Sequence, residues 1–93
     1  MATHGLVELG EVVTMLENCA PGATGRPFGK HRMLFSWQGR VVLLPLGSHS
    51  DRGRRQARAE LERGHVRKLI RALDVPRECA EQWLPIFRGE LVR

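Results

Sequence analysis

In the run Lys30-His31-Arg32-Met33-Leu34-Phe35-Ser36-Trp37-Gln38-Gly39-Arg40-Val41-Val42-Leu43-Leu44-Pro45, side chains alternate in character from the first residue. On an extended backbone His31, Met33, Phe35 and Trp37 share one face, and Arg32, Leu34 and Ser36 share the other. Gln38-Gly39 supplies a two-residue turn, although asparagine or aspartate is the commoner first residue there. Arg40 to Leu44 then reads as a second, more apolar strand stopped by Pro45. The stretch therefore predicts a β-hairpin of residues 31–37 and 40–44.

Working outward, Thr24 to Phe28 reads as a short preceding strand, and Pro27 confines it to a sheet edge. Before it, Leu9, Val12, Val13, Leu16 and Ala20 recur at the spacing of one helical face, and Pro21-Gly22 ends that helix. After the hairpin, Leu46 to Gly53 is a polar connection in which Ser50-Asp51 is placed to cap a helix starting near Arg52. Val66, Leu69, Ile70 and Leu73 form a second apolar stripe, with Leu61 off its centre and Gly64 between. Residues 52–63 and 65–74 are expected to be two helices or one bent helix. Cys79, Ala80, Trp83 and Leu84 suggest a further short helix halted by Pro85, and Ile86 to Arg93 is left as a loose end or an added strand. No internal repeat or low-complexity tract stands out. One sheet face must be covered by helices in a chain of 93 residues. The expectation is a single α+β domain, a two-layer α-β-β(-β)-α sandwich packed by Leu9, Val13, Leu16, Leu69, Ile70 and Leu73.

Composition restricts the function. No apolar run is long enough to span a bilayer, and the first residues lack the order of a secretory signal, so no membrane association and a cytoplasmic location are expected. Cys19 and Cys79 are too few for a disulfide framework and are read as free thiols packed as small apolar groups. The histidines show no zinc-ligand spacing, and neither a phosphate loop nor a glycine-flanked serine nucleophile is present, so no metal or cofactor is expected.

The net charge of +5 is unevenly distributed. Residues 1–25 carry Glu8, Glu11 and Glu17 and no base. Residues 26–58 carry Arg26, Lys30, Arg32, Arg40, Arg52, Arg54, Arg55 and Arg58 against Asp51 alone, a net +7. Guanidinium groups bind phosphate in a bidentate manner and keep their charge, so nucleic acid is the expected partner of this basic region. Lys30, Arg32, Arg52, Arg54, Arg55 and Arg58 are the candidate binding residues; a merely solvated basic face is the alternative.

Three segments carry a family resemblance: Gly29-Lys30-His31-Arg32-Met33-Leu34-Phe35, Val41-Val42-Leu43-Leu44-Pro45-Leu46, and Leu61-Glu62-Arg63-Gly64-His65-Val66-Arg67-Lys68-Leu69-Ile70-Arg71-Ala72-Leu73. Together they resemble the HicA toxin family over roughly residues 9–75, with 76–93 as a C-terminal helical extension. The resemblance implies a double-stranded-RNA-binding-domain-like (dsRBD-like) fold and an RNA-binding toxin that cleaves mRNA as a metal-independent endoribonuclease. It also implies a HicB-like antitoxin as protein partner, and it puts His31 at the family's catalytic histidine. Lys30 stands where that family commonly has serine, Arg32 where it often has a second histidine, and Ser48 to Glu60 replaces a shorter loop. Phage-borne proteins with a similar Lys-His strand also resemble the chain. No activity follows from that likeness. The alternative function is a non-catalytic phage or host interaction module, such as an anti-CRISPR or other inhibitor, binding nucleic acid or a protein through its basic face.

Histidine suits the chemistry because its pKa lies near neutrality, so it can take the proton of an RNA 2′-hydroxyl or supply one to the leaving 5′-oxygen. The other reading of His31 is a half-buried residue at a strand start with no chemical role. Phe35 and Trp37, on its face, would stack on bases if exposed and are core if covered; in the latter case His31 must lie at the rim to reach RNA.

Overall fold

The computed structural model describes residues 5–46 and 60–92. The architecture is α+β. Strand β1 (Leu6–Glu8) leads into helix α1 (Leu9–Cys19), followed by β2 (Thr24–Pro27), β3 (Arg32–Trp37), β4 (Arg40–Pro45) and β5 (Glu60–Glu62). Helix α2 (Arg63–Leu73), helix α3 (Arg77–Trp83) and a short 3-10 turn (Pro85–Phe87) complete it. Strands β2, β3 and β4 form one antiparallel sheet in chain order, while β1 and β5 pair antiparallel as a separate ribbon.

The central hairpin forms as the alternation predicts. Phe35 pairs with Val42 and Met33 with Leu44, all four buried, so this face of the sheet meets the helices. Gln38 and Gly39 turn the chain at φ 51° and 81°. Two successive left-handed residues give a reversal whose twist matches that of the strands. Strand β2 takes the sheet edge, where the missing N–H of Pro27 does not interrupt a central ladder. A side chain at Gly25 would set its Cβ 2.8 Å from two ring atoms of the buried Phe35, the residue paired with it. The ring occupies the space over that glycine. Gly25→Ala is therefore expected to cost about 1–3 kcal/mol, as overpacking does, read as a lower midpoint in urea at unchanged slope.

Two helical expectations need correction. Val13 is 39% exposed, and Met15 is fully buried in its place with Leu9, Val12, Leu16 and Cys19. The buried face of α1 is thus rotated slightly from the one the spacing suggests. Residues 60–62 are a strand, so no helix runs continuously from residue 52 to residue 74. Leu61 lies off the helical stripe because it is not helical: it is buried opposite Val7 in the ribbon. The remainder of the predicted first segment, and its Ser50-Asp51 cap, lie outside the described residues.

The ribbon also reveals a short repeated unit. Val7-Glu8-Leu9-Gly10-Glu11-Val12 and Leu61-Glu62-Arg63-Gly64-His65-Val66 share Glu8/Glu62, Gly10/Gly64 and Val12/Val66, with an apolar residue at 7 and 61, although no internal repeat is expected from the sequence. Each unit is a strand leading straight into a helix, and the two residues at the junction share a conformation: Glu8 at φ −71°, ψ 142° and Glu62 at φ −71°, ψ 147°. Val7 and Leu61 pair directly, which relates the units by a local twofold. The buried positions also correspond: Val12, Met15, Leu16 and Cys19 in α1 match Val66, Leu69, Ile70 and Leu73 in α2.

The cysteines are not free thiols. Cys19 at the end of α1 and Cys79 in α3 form a disulfide, with Cα atoms 5.6 Å apart. Their separation of 60 residues hides this from any local pattern; it is the side-by-side packing of α1 and α3 that joins them. The C-terminal segment is ordered rather than loose. Phe87 is buried, Arg63 and Arg67 both bond the Glu90 carboxylate, and their guanidinium groups lie 5.4 and 5.7 Å from the Phe87 ring centre. The N–H groups of Leu91 and Val92 donate to the Glu81 carboxylate at 2.6 and 3.1 Å. Desolvation works against that charge, but the N–H donors of Leu91, Gly89 and Val92, together with Arg88, outweigh it and hold the carboxyl below its ordinary range.

Candidate functional site

The turn between β2 and β3 holds the candidate residues. Pro27 and Met33 are the last pair of the ladder, and the Phe28 N–H donates to the Arg32 carbonyl at 2.9 Å, closing residues 28–32 into a defined loop. Gly29 at φ +77° provides the left-handed step. On the far side the Leu46 N–H donates to the His31 carbonyl at 2.7 Å, tying the loop to the end of β4. The backbone of His31 is thereby fixed from the β4 side, while Lys30, His31 and Arg32 are exposed.

His31 lies one residue before β3 begins. The face with which it is in phase is core: Met33 and Phe35 are buried, and Trp37 packs against them with its Nε1–H on the Pro21 carbonyl at 3.0 Å. Neither Phe35 nor Trp37 is therefore presented for stacking, and His31 stands at the rim of that face. Arg32 belongs to the opposite, outer face, where Arg26 pairs with Leu34 and Arg32 with Pro45. Arg26 and Arg32 converge on one aromatic ring, each guanidinium 5.9 Å from the centre of Phe28. Phe28 and Arg26 are thus additions to the site that strand periodicity does not single out. The available signal was an aromatic residue placed between Pro27 and Gly29, in a turn where no core position requires one.

The same outer face carries Val41, 64% exposed, beside the half-buried Leu34 and Leu43. It is a mixed apolar and cationic surface. Arg52, Arg54, Arg55 and Arg58 lie outside the described residues. A second basic surface lies on the helical layer, where Gly64, Arg67, Lys68, Arg71 and Ala72 line an open depression of about 400 Å³. His65 sits in the first turn of α2 with its Nδ1 3.8 Å from the Glu62 carboxylate. Among the described residues, no three or more His, Cys, Asp or Glu side chains gather as a metal-binding group, and no helix is long and apolar enough to cross a membrane.

Chemically, the turn offers one imidazole, one ammonium and two guanidinium groups around a rigid backbone. Cations so placed stabilise a phosphate and the extra charge it gains during transfer, and an imidazole can move the proton that such transfer requires. No family model, curated protein or solved structure matches the chain.

Proposed function

We propose that this chain is a HicA-like RNA-binding protein of dsRBD-like fold that cleaves mRNA by metal-independent acid–base catalysis at His31, under the control of a HicB-like antitoxin. The observation that carries the reading is the exposed His31 held in a backbone-locked turn between Lys30 and Arg32. In this reading the imidazole takes the proton of a 2′-hydroxyl, or protonates the departing 5′-oxygen, as the 2′-oxygen attacks the adjacent phosphorus. Lys30 and Arg32 hold the phosphate oxygens. Helix α1, the β2–β3–β4 sheet and the basic α2 follow one another in the order that the resemblance implies, with β1, β5, α3 and the 3-10 turn in addition to it. The exposed Val41 on the outer sheet face favours the second reading, a non-catalytic module that uses this face to grip a partner.

Purified protein incubated with RNA in the presence of a chelator tests both. The expected products end in 2′,3′-cyclic phosphate, and RNA affinity is expected to fall with salt at a log–log slope of roughly −0.7 to −0.9 per phosphate contact. Salt-dependent binding without cleavage selects the non-catalytic module. No binding to any RNA at low salt overturns the RNA reading.

A further inference from the structure

We infer that Phe28, with Arg26 and Arg32 beside it, is a stacking subsite for one unpaired nucleobase of a single-stranded RNA, an inference that rests on the RNA-binding reading and specifies the strandedness of the ligand. Phe28 is 43% exposed, outside the core, on a turn whose backbone is fixed by its N–H bond to the Arg32 carbonyl. The ring is therefore presented on a rigid support, which lowers the ordering cost of binding. The Arg32 guanidinium folds back over the turn: a Cβ on Gly29 would meet its Nη2 at 3.4 Å. Both guanidinium groups lie over the ring, 5.9 Å from its centre, so a base that stacks there displaces them toward the phosphates on either side of it.

Charge selects the class of ligand. Arg26 and Arg32 lie over the ring and Lys30 is exposed on the same turn, so a polyanion with flat apolar groups is complementary to it, and RNA has both properties. Strandedness follows from geometry. A base offers its face to Phe28 only when it is unstacked, and in a duplex the faces are covered by neighbouring bases. Phe28 and His31 belong to the same closed loop. A base held on the ring gives the site a preference for loops and unpaired stretches of mRNA.

The test is fluorescence anisotropy on the full chain, using a short single-stranded RNA with 2′-O-methyl riboses, which cannot be cleaved through the 2′-oxygen, and the same sequence annealed to its complement. Phe28→Ala is expected to weaken single-strand binding roughly 5- to 150-fold, the range for loss of one aromatic stack, with duplex binding and the salt slope unchanged. Phe28→Trp is expected to retain affinity, and an oligonucleotide of abasic sites is expected to bind wild type as weakly as Phe28→Ala binds the intact strand. If wild type binds RNA with a salt dependence but Phe28→Ala binds equally well, the subsite is overturned and the RNA reading stands. If wild type binds no RNA, both fall. If polyglutamate binds as tightly as RNA and loses as much with Phe28→Ala, the turn serves an acidic protein instead and the inference is overturned.

Discussion

Replacing His31 with alanine is expected to lower RNA cleavage by about 10²–10⁴-fold, the usual contribution of a positioned acid–base group. The side chain lies at the rim of the sheet, outside the buried core, and the bond that fixes residue 31 uses its carbonyl, which alanine also has. Stability is read alongside: surface changes away from special features stay within about 0.5 kcal/mol, and a larger loss marks a structural role for the side chain. RNA affinity should persist, because the charges that hold phosphate belong to other residues. The measurement is single-turnover cleavage of a labelled RNA alongside a denaturant melt and a binding titration. Undiminished cleavage in the variant removes His31 from the mechanism. A variant that fails to fold makes the histidine structural.

Breaking the Cys19–Cys79 bond is expected to have the largest effect on stability. It closes a loop spanning 60 residues, and restricting an unfolded chain by such a loop is worth about 4 kcal/mol in the chain-entropy account. Domains of this size have a total stability of only about 5–15 kcal/mol. The double variant Cys19→Ser, Cys79→Ser should therefore melt far below the oxidised wild type, and wild type treated with a reductant should fall to a similar value. Equal stability of oxidised, reduced and substituted protein would show that the bond contributes nothing to stability. Such bonds persist in oxidising surroundings and are rare in a reducing cytosol, whereas the sequence reading expects free thiols and a cytoplasmic location. The thiol state of the protein isolated from its own cells is thus informative about where it works.

The residues that can be read from the sequence are those whose partners are near in the chain. Met33, Phe35, Val42 and Leu44 alternate within one hairpin, so their inward direction follows from local period, and Leu69, Ile70 and Leu73 announce α2 in the same way. Contacts between distant segments leave no such trace. Leu61 could not be recognised as a strand residue until Val7 was known to lie opposite it, and the cysteines could not be joined until α1 and α3 were known to pack together. At the site, His31, Lys30 and Arg32 were legible by type and position. Phe28 was not, because strand periodicity does not single it out; its place between Pro27 and Gly29 is the one local sign of its exposure. The burial of Phe35 and the packing of Trp37 against the core leave Phe28 as the ring on the candidate turn.

The β1–β5 ribbon has a consequence for the time course of folding. Residues 6–8 pair with residues 60–62, so during synthesis the first strand must wait for that distant segment to leave the ribosome. Contacts this remote in sequence slow the search for the native state. The β2–β3–β4 sheet, built from neighbouring segments, has all its strands available earlier. The nascent chain would then expose Val7 and the apolar side of α1 until the second strand–helix unit arrives, a period in which unpaired strand edges are open to wrong partners.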